Sequence, residues 1–429
     1  MFGFANFLLL ALFAAAVFDL IFALARGGGL RGALHGLWNT PHLLFGQQLA
    51  EWRLQLGRIL FAAGLAAYEI SVVFCNSMAR QNWAWVQGVM SPVLEWLAFL
   101  CFGAKILFGT RYTWRELLAG GALYFIARWV YFNSQNIWWI GIVVAVLAAK
   151  DVPLRRPLQV YFASGCAAMA VVLALHFAGI VAPDLTSERM GALRGTYGYG
   201  HPNTFGGLVF GLVLAYALLR AQKVRWVDCL LVFAVGVFLL VGPASRSAAL
   251  CTLALAVGLV FCRLRAGHSV LRWWPGTCAG MVGLTAAVSY LLPLLVIKVG
   301  PWNNDIGPAW LAKLDSLLTC RISLTWMAYR LLDVKIAGQV FNWPTVDNSF
   351  AFALFQFGPV VAALLGILFA AALWGHAKQG RRVEVCCLFA MLAYAYMEVQ
   401  PFHLTTNPTA LLLCGAVFAQ TSARWQKIE

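Results

Sequence analysis

The stretch RGTYGYGHPNTFGG, at positions 194 to 207, combines side chains that can bind an anion with a backbone that can approach one closely. Arg194 carries a positive charge, and His201 and Asn203 add polar groups. The glycines between them permit positive φ angles and close backbone contact. Pro202 can begin a helix, whose first N–H groups would face an anion with the positive end of the helix dipole. The stretch therefore predicts an anion-binding turn at the start of a helix.

Two further arginines lie in turns beside apolar runs. Arg246 follows GPAS at 242 to 245, where small neighbours leave room for an anion, and Arg321 lies within LDSLLTCRISLTW at 314 to 326. A cation at membrane depth is costly unless it meets a partner, a cavity or a ligand. Each arginine is therefore expected either to bind an anion or to have a structural role. The structural role would be snorkelling to the bilayer surface or pairing with a carboxylate such as Glu188 or Asp315.

Two carboxylates are candidates for proton transfer. Asp347, in VDNSF, precedes an apolar run and would be either a general base or an ordinary helix N-cap. Glu398 ends an almost charge-free run, where desolvation would raise its pKa toward neutrality. The sequence leaves the choice between these two carboxylates open. Asp347 is favoured because it lies in a polar motif, and the alternative role of Glu398 is an ion pair with one of the arginines.

The remaining candidates are histidines and amides. His201 and His403 would act either in acid–base chemistry or as hydrogen-bonding residues near helix ends. Asn203 suits a helix cap as well as a hydroxylated ligand, and Asn348 would orient either Asp347 or such a ligand.

The composition places these residues in a polytopic membrane protein. Of the 429 residues, 62% are hydrophobic, and the mean hydropathy is +0.78, which is outside the range of soluble domains. About 20 helical residues cross a bilayer core. Apolar runs near that length predict thirteen helices, at 2 to 25, 57 to 75, 84 to 104, 116 to 132, 136 to 149, 158 to 181, 203 to 219, 226 to 242, 247 to 262, 276 to 297, 347 to 373, 383 to 398 and 404 to 420.

The distribution of charge predicts the orientation of these helices. The chain has 31 Lys and Arg against 16 Asp and Glu, and the basic residues recur in alternate loops, such as 105 to 115, 150 to 156, 220 to 225 and 378 to 382. The positive-inside rule makes those loops and the C-terminus cytoplasmic. The basic charge is therefore explained without a nucleic acid partner, and the segments 182 to 202 and 299 to 346 are expected outside.

The chain divides into two regions. Residues 1 to 181 are N-terminal membrane helices, and residues 182 to 429 carry the polar motifs together with a large outer loop at about 299 to 346. Within that loop, LDSLLTCRISLTWMAYRLLDVKIAG predicts one amphipathic helix lying over a cavity. The eleven cysteines are scattered mostly in apolar segments, so they indicate neither a metal site nor a disulfide framework.

Five motifs occur in a characteristic order. They are RGTYGYGHPNTFG, GPASRSAAL, LDSLLTCRISLTWMAYR, VDNSFAFALFQFGPV and MEVQPFHLTTNPTALLL, and together they span roughly the C-terminal 240 residues. In this order they resemble bacterial polysaccharide polymerases of the Wzy type, in the O-antigen ligase/polymerase superfamily. The first 180 residues match only as hydrophobic helices.

The resemblance implies an all-α, GT-C-like membrane glycosyltransferase of the bacterial inner membrane, with its active site facing outside. Such an enzyme transfers a glycan from undecaprenyl diphosphate to a hydroxyl of a second lipid-linked repeat unit, without a metal or other cofactor. Arg194, Arg246 and Arg321 would hold the diphosphate. The base would be Asp347 or Glu398, with His201 also in a catalytic role, and Asn203, Asn348 and His403 would bind substrate.

The implied partners are undecaprenyl-diphosphate-linked oligosaccharides, membrane lipid and a chain-length regulator. Two alternatives remain open. The first is an O-antigen-type ligase, against which stands the aspartate at 347 where ligases of the superfamily carry histidine. The second is a transporter or flippase, which would place polar groups at mid-membrane in two pseudo-symmetric halves.

Overall fold

The structure is a computed structural model that describes residues 2–25, 29–45, 50–181, 187–189, 192–264, 275–296 and 307–418. About 78% of the described residues are helical. The C-terminal tail beyond residue 418, much of the segment 182 to 191 and the first part of the predicted outer loop lie outside the described residues.

The N-terminal half consists of helices joined by short turns. Its helices are α1 (Phe2–Ala25), α2 (Gly29–Asn39), α3 (Ala50–Cys75), α4 (Ala79–Asn82), α5 (Ser91–Phe108), α6 (Trp114–Ser134), α7 (Ile137–Ala148) and α8 (Arg155–Phe177). A π-helical turn, Val86–Met90, precedes α5, and β1 (His42–Leu43) pairs antiparallel with β2 (Arg111–Tyr112). Thr113 and Glu116 form a capping box at the start of α6, which fixes the turn out of this ribbon.

The C-terminal half begins with an antiparallel hairpin of β3 (Ser187–Arg189) and β4 (Ala192–Arg194). Its helices are α9 (Pro202–Leu219), α10 (Trp226–Val241), α11 (Arg246–Arg263), α12 (Pro275–Leu291), α13 (Ala309–Leu317), α14 (Arg321–Leu331), α15 (Ser349–Phe352), α16 (Pro359–Lys378), α17 (Arg382–Met397) and α18 (Cys414–Val417). The described part of this half also contains three 3-10 turns, Leu292–Leu295, Gln400–Phe402 and Pro408–Leu413, and a π-helical turn, Ala353–Phe357.

Eight helices in the described part of the chain are long and apolar enough to cross a membrane, and three shorter apolar helices accompany them. This number is compatible with a polytopic membrane protein, but it does not confirm thirteen spans. Helix length accounts for part of the difference. Helix α7 has 12 residues and α10 has 16, which is fewer than the about 20 that a bilayer core requires.

The apolar surface of these helices is divided between the protein core and the outside. Helix α9 packs against α8, α11 and α17, and most of its side chains are buried. Leu10 and Phe13 of α1 are instead 67% and 71% exposed. Large exposed apolar side chains on a long helix are typical of a surface that faces lipid.

Two predicted helices are interrupted. The predicted helix at 347 to 373 is broken at Gly358, which has a φ of 88° and separates the π-helical turn from α16. A Cβ atom at Gly358 would lie 2.1 Å from the carbonyl oxygen of Ile336, so this close approach requires glycine. The predicted helix at 404 to 420 is irregular, because it consists of a 3-10 turn and only one turn of α-helix, α18.

Side chains satisfy the backbone of this irregular final segment. The Tyr161 hydroxyl donates to the carbonyl oxygen of Thr405, and Asn407 donates to the carbonyl oxygen of Pro401 at 2.9 Å. The Oδ1 atom of Asn407 accepts the backbone N–H of Ala410 at 3.2 Å. Irregular backbone inside a membrane bundle is tolerated where it is buried in protein, and residues 404 to 414 are buried.

The predicted amphipathic helix of the outer loop is two helices. Helix α13 ends at Leu317, and α14 begins at Arg321. Thr319 and Cys320, which join them, have φ angles of 62° and 61°, a left-handed conformation that no α-helix can continue through.

Candidate functional site

A cavity of about 240 Å³ opens where four segments of the C-terminal half meet. The segments are the turn before α9, the start of α11, the turn between α13 and α14, and the residues before α15. The lining residues are Arg194, His201, Asn203, Arg246, Ser247, Thr319, Arg321 and Asp347. Six of the nine residues that the sequence singled out therefore border one space, which we call the arginine cavity.

Arg194, at the end of β4, joins the first two segments. Its Nη2 atom donates to Asn203 Oδ1 at 2.9 Å and to the carbonyl oxygen of Ala244 at 3.2 Å. The side chain is 8% exposed. The predicted alternative, an ion pair with Glu188, concerns a side chain outside the described residues. Arg194 thus places a buried positive charge, fixed by these hydrogen bonds, at the wall of the arginine cavity.

Glu398, directly after α17, lies behind this wall. Its Oε1 atom accepts from Arg321 Nη2 at 2.5 Å, from Ser247 Oγ at 2.9 Å and from Asn203 Nδ2 at 3.0 Å. Asn203 therefore connects Arg194 to Glu398, in addition to its place in the first turn of α9. Glu398 is 5% exposed and is not among the lining residues, so it supports the cavity from behind.

Burial raises the pKa of Glu398 to about 7, against the opposing effect of Arg321, and the nearby Asp347 carboxylate raises it further. The desolvation of this carboxyl is therefore only partly offset by its ion pair. Burial thus shifts the pKa of Glu398 toward neutrality, and the protonation of this carboxyl bears on the net charge of the site.

The Arg321 side chain, like that of Glu398, is fixed by several hydrogen bonds. Besides Glu398, it donates to the carbonyl oxygens of Leu318, at 2.9 Å, and Met397. The carboxylate that the sequence offered as its partner, Asp315, accepts instead from the backbone N–H groups of Ile322, at 2.8 Å, and Ser323, at 3.2 Å. Asp315 therefore caps α14, and the ion pair of Arg321 is made with a residue much later in the chain.

Arg246 is the first residue of α11 and is exposed. Among the residues that the structure describes, its side chain makes no hydrogen bond or ion pair. Its guanidinium is thus the cation of the arginine cavity that is most available to an incoming anion, and it stands at a helix N-terminus, which also attracts negative charge.

Asp347 faces the same cavity. Burial raises its pKa, while Arg321 and His201 oppose this rise. The interpretation of Asp347 as a helix cap is wrong, because the N-cap of α15 is Asn348. In the described part of the chain the Asp347 carboxylate accepts no hydrogen bond, so it is free to accept a proton from a ligand.

Asn348 has a structural role. Its Oδ1 atom accepts the N–H groups of Phe350, at 2.9 Å, and Ala351, at 3.1 Å. Its Nδ2 atom donates to Ser289 Oγ at 3.0 Å and to the carbonyl oxygen of Tyr396 at 3.1 Å. Both ends of the amide are used within the protein, and Asn348 does not line the arginine cavity.

His201 is the N-cap of α9. Its Nδ1 atom accepts the backbone N–H of Asn203 at 3.1 Å, which assigns the proton of the neutral ring to Nε2. Burial and the adjacent Arg194 lower its pKa, while Asp347 opposes this. His201 therefore meets the cavity as a neutral hydrogen-bond donor.

One candidate from the sequence, His403, lies elsewhere, and a further arginine, Arg128, is held within the N-terminal half. The ring of His403 packs on Trp138, with 3.9 Å between ring centroids, and does not border the arginine cavity. Arg128 donates to Asn6 at 2.8 Å, and its guanidinium lies 4.6 Å from the ring centroid of Phe132.

The structure adds two polar residues that the sequence interpretation missed, Ser247 and Thr319. Ser247 adjoins Arg246, and that position was the only signal available. Thr319 stands out only through its backbone, which has a positive φ angle. Tyr197, Ala244 and Cys320, in segments that also form the site, share this feature. Strained backbone of this kind clusters at functional sites.

The arrangement suits a phosphate-bearing ligand. The guanidinium of Arg246 can bind phosphate oxygens in bidentate geometry, and Arg194 and Arg321, which donate within the protein, add positive charge at the cavity wall. A half-buried carboxylate beside them, Asp347, can accept a proton. Within the described residues, no group of His, Cys, Asp and Glu side chains is arranged to hold a metal ion. The chain matches no protein-family model, no curated protein and no solved structure.

Proposed function

We propose that this protein is a GT-C-like polysaccharide polymerase, which transfers a glycan from undecaprenyl diphosphate to a second lipid-linked repeat unit. The observation that carries the proposal is that Arg194, Arg246, Arg321 and Asp347, from four separate motifs, line one cavity. The order of these motifs along the sequence provides the resemblance, and their meeting in space provides the chemistry.

In this mechanism the arginines bind the diphosphate of the donor. A diphosphate linked at both ends carries one negative charge on each phosphate. The three arginines with two ionised carboxylates have a net charge of +1, and protonation of Glu398 raises it to +2. Binding of the donor would thus be accompanied by proton uptake at Glu398, whose pKa of about 7 permits it.

Asp347 then acts as the base. The hydroxyl oxygen of the acceptor sugar attacks the anomeric carbon of the donor, its proton passes to the Asp347 carboxylate, and the bond from the anomeric carbon to the phosphate oxygen breaks. The electron pair of that bond leaves with undecaprenyl diphosphate, whose charge the arginines stabilise. The configuration at the anomeric carbon inverts, because attack and departure occur on opposite faces.

Asp347 suits this role better than Glu398. Asp347 borders the arginine cavity and accepts no hydrogen bond from the described residues, whereas one oxygen of Glu398 already accepts from three donors. Glu398 would therefore be a positioning residue, which sets the place and the charge of Arg321.

Purified protein in vesicles with lipid-linked repeat units tests the proposal, with product length read on a gel. Asp347→Asn should form product about a hundredfold more slowly or worse, because the amide keeps the size but loses the basicity. Asp333→Asn is the matched control, since this exposed aspartate lies in the same loop but does not line the cavity. Near-normal turnover by Asp347→Asn would exclude it as the base.

The same assay separates the alternatives. A ligase would need a non-polyprenyl acceptor and would form no polymer from repeat units alone, and a flippase would move the repeat unit without extending it. Either result would refute a polymerase.

The proposal also includes an orientation of the protein in the inner membrane, in which the arginine cavity opens on the outer, extracytoplasmic face. Single cysteines at 333 and 379, in a background without native cysteines, should react with an impermeant maleimide from opposite sides. Labelling of 333 only from the cytoplasm would contradict the proposed orientation.

A further inference from the structure

A second cavity, of about 590 Å³, lies at the other end of the helices that form the arginine cavity. It is bordered by the turn after α9, the end of α11 and the start of α17. Helix α9 has 18 residues, which corresponds to a length of about 27 Å. The two cavities are therefore separated by roughly the thickness of a bilayer core.

The lining of this second cavity is strongly basic. Its charged residues are Lys223, Arg225, Arg263, Arg381, Arg382 and Glu384. Five cations and one carboxylate leave a net charge of +4 around one space. We call it the basic cavity.

A neighbouring acidic residue does not neutralise this charge. Asp228, three residues after Arg225, accepts from Arg220 Nε at 3.1 Å and from the Tyr216 hydroxyl at 2.5 Å. It also accepts the backbone N–H of Arg225 at 2.7 Å. Asp228 is thus committed to the turn between α9 and α10, and it does not line the basic cavity.

The orientation of membrane helices accounts for basic loops, but it does not account for their convergence. The positive-inside rule is satisfied by lysines and arginines that point separately into solution. Here cations from three segments surround one concave space, where like charges repel and an anion would be attracted. The start of α17 at Arg382 adds the positive end of a helix dipole to the same space.

The surface beside the basic cavity is apolar. Trp226 and Val227, at the start of α10, are 53% and 70% exposed, and Phe261, near the end of α11, is 58% exposed. Trp226 and Phe261 directly adjoin the lining residues Arg225 and Cys262 in sequence, and these apolar side chains are suited to contact acyl chains.

We propose that the basic cavity binds a phosphate-bearing anion, for which the headgroup of an anionic membrane lipid is the best-fitting source because apolar helix surface adjoins the cavity. A free phosphate compound has the same anionic group without the chains. This proposal is independent of glycosyl transfer at the arginine cavity, because it shares no residue with that site.

The test uses the full-length protein purified in a neutral detergent and the double variant Arg225→Gln/Arg263→Gln. Both arginines are exposed and come from different segments, so their loss should leave the fold intact. The matched control is Arg155→Gln/Arg156→Gln, which removes the same charge from two exposed residues at the start of α8. Binding of short-chain phosphatidylglycerol, phosphatidylcholine and inorganic phosphate is measured for each protein by native mass spectrometry and thermal shift.

We expect wild type and control to bind phosphatidylglycerol in preference to phosphatidylcholine, and the double variant to bind it roughly 25-fold more weakly, at about fivefold for each basic residue near an anionic lipid. Binding of inorganic phosphate without a preference for phosphatidylglycerol would support the anion site and identify a soluble ligand. The proposal would be overturned if the control variant lost as much affinity for phosphatidylglycerol as the double variant. It would also be overturned if the wild type bound none of the tested anions more tightly than the double variant.

Discussion

Replacement of Glu398 by glutamine should make the folded protein more stable at pH 8 than the wild type. Glu398 is 5% exposed, and burial raises the pKa of its carboxyl from 4.5 to about 7 in spite of its ion pair with Arg321. The folded protein therefore keeps a proton at this site over a pH range in which the unfolded chain has lost it.

The sign and the size of the effect follow from this difference. Between pH 4.5 and about 7 the folded state binds more protons than the unfolded state, so the free energy of unfolding falls as the pH rises. The contribution is fully present below pH 4.5 and is lost above about pH 7. At about 1.36 kcal/mol for each pH unit, the total loss is about 3 kcal/mol.

Glutamine is neutral in both states and keeps an oxygen for Ser247 and Asn203, so this loss should be absent in Glu398→Gln. We expect the variant to match the wild type near pH 4.5 and to exceed it by up to about 3 kcal/mol at pH 8. The carboxylate would then be retained at a cost in stability, which is typical of functional sites.

Thermal unfolding in one detergent between pH 5 and pH 8, followed by tryptophan fluorescence, measures this effect. Glu51→Gln controls for the loss of a carboxylate, because the Glu51 side chain is 84% exposed and far from the cavity in sequence. If Glu398→Gln unfolds at a lower temperature than the wild type at pH 8, the ion pair with Arg321 is net stabilising and the argument from burial is wrong.

Three further predictions concern packing, capping and anion binding. Gly211→Ala should destabilise the protein by about 1–3 kcal/mol, because the added Cβ would lie 2.5 Å from a backbone carbonyl oxygen of the irregular final segment. The control is Gly121→Ala, whose Cβ would have no atom within 4 Å. This control should be neutral or slightly stabilising, and thermal unfolding measures both variants. Asn348→Ala should lower the free energy of unfolding by about 2–4 kcal/mol, because the helix cap and the two hydrogen bonds donated by Asn348 are lost. Asp347→Asn should change the same free energy by less than about 1 kcal/mol. Similar losses in the two variants would contradict the hydrogen-bond assignments. If the proposed transfer occurs, Arg246→Lys should form polymer about tenfold more slowly or worse, because a point charge cannot replace the guanidinium fork, and full activity would show that only charge matters there.

The sequence by itself determined the class of structure and most helix positions. Long apolar runs define helices because buried or lipid-facing backbone must satisfy its own hydrogen bonds. The runs at 2 to 25 and 203 to 219 correspond closely to Phe2–Ala25 and Pro202–Leu219. Hydropathy reports burial but not backbone geometry, so it missed the break at Gly358 and the irregular segment after Met397.

The sequence also identified which polar residues were exceptional, because a charged or flexible motif is conspicuous in an apolar chain. For Arg194 and Arg321 it offered partners close in sequence, and for Glu398 an arginine that it did not specify, since only residues close in sequence can be compared without a fold. Asp315 and Arg321 are six positions apart, but the left-handed turn between α13 and α14 directs Asp315 to the N–H groups of α14.

Only the tertiary structure decided the actual partners. The packing of α9 against α11 and α17 brings Asn203, Ser247 and Glu398 together and places Arg321 against a carboxylate 77 positions later in the chain. Capping of α15 by Asn348 leaves Asp347 directed at the arginine cavity. Such assignments depend on where helix ends meet in space, and no periodicity or composition along a single chain specifies that meeting.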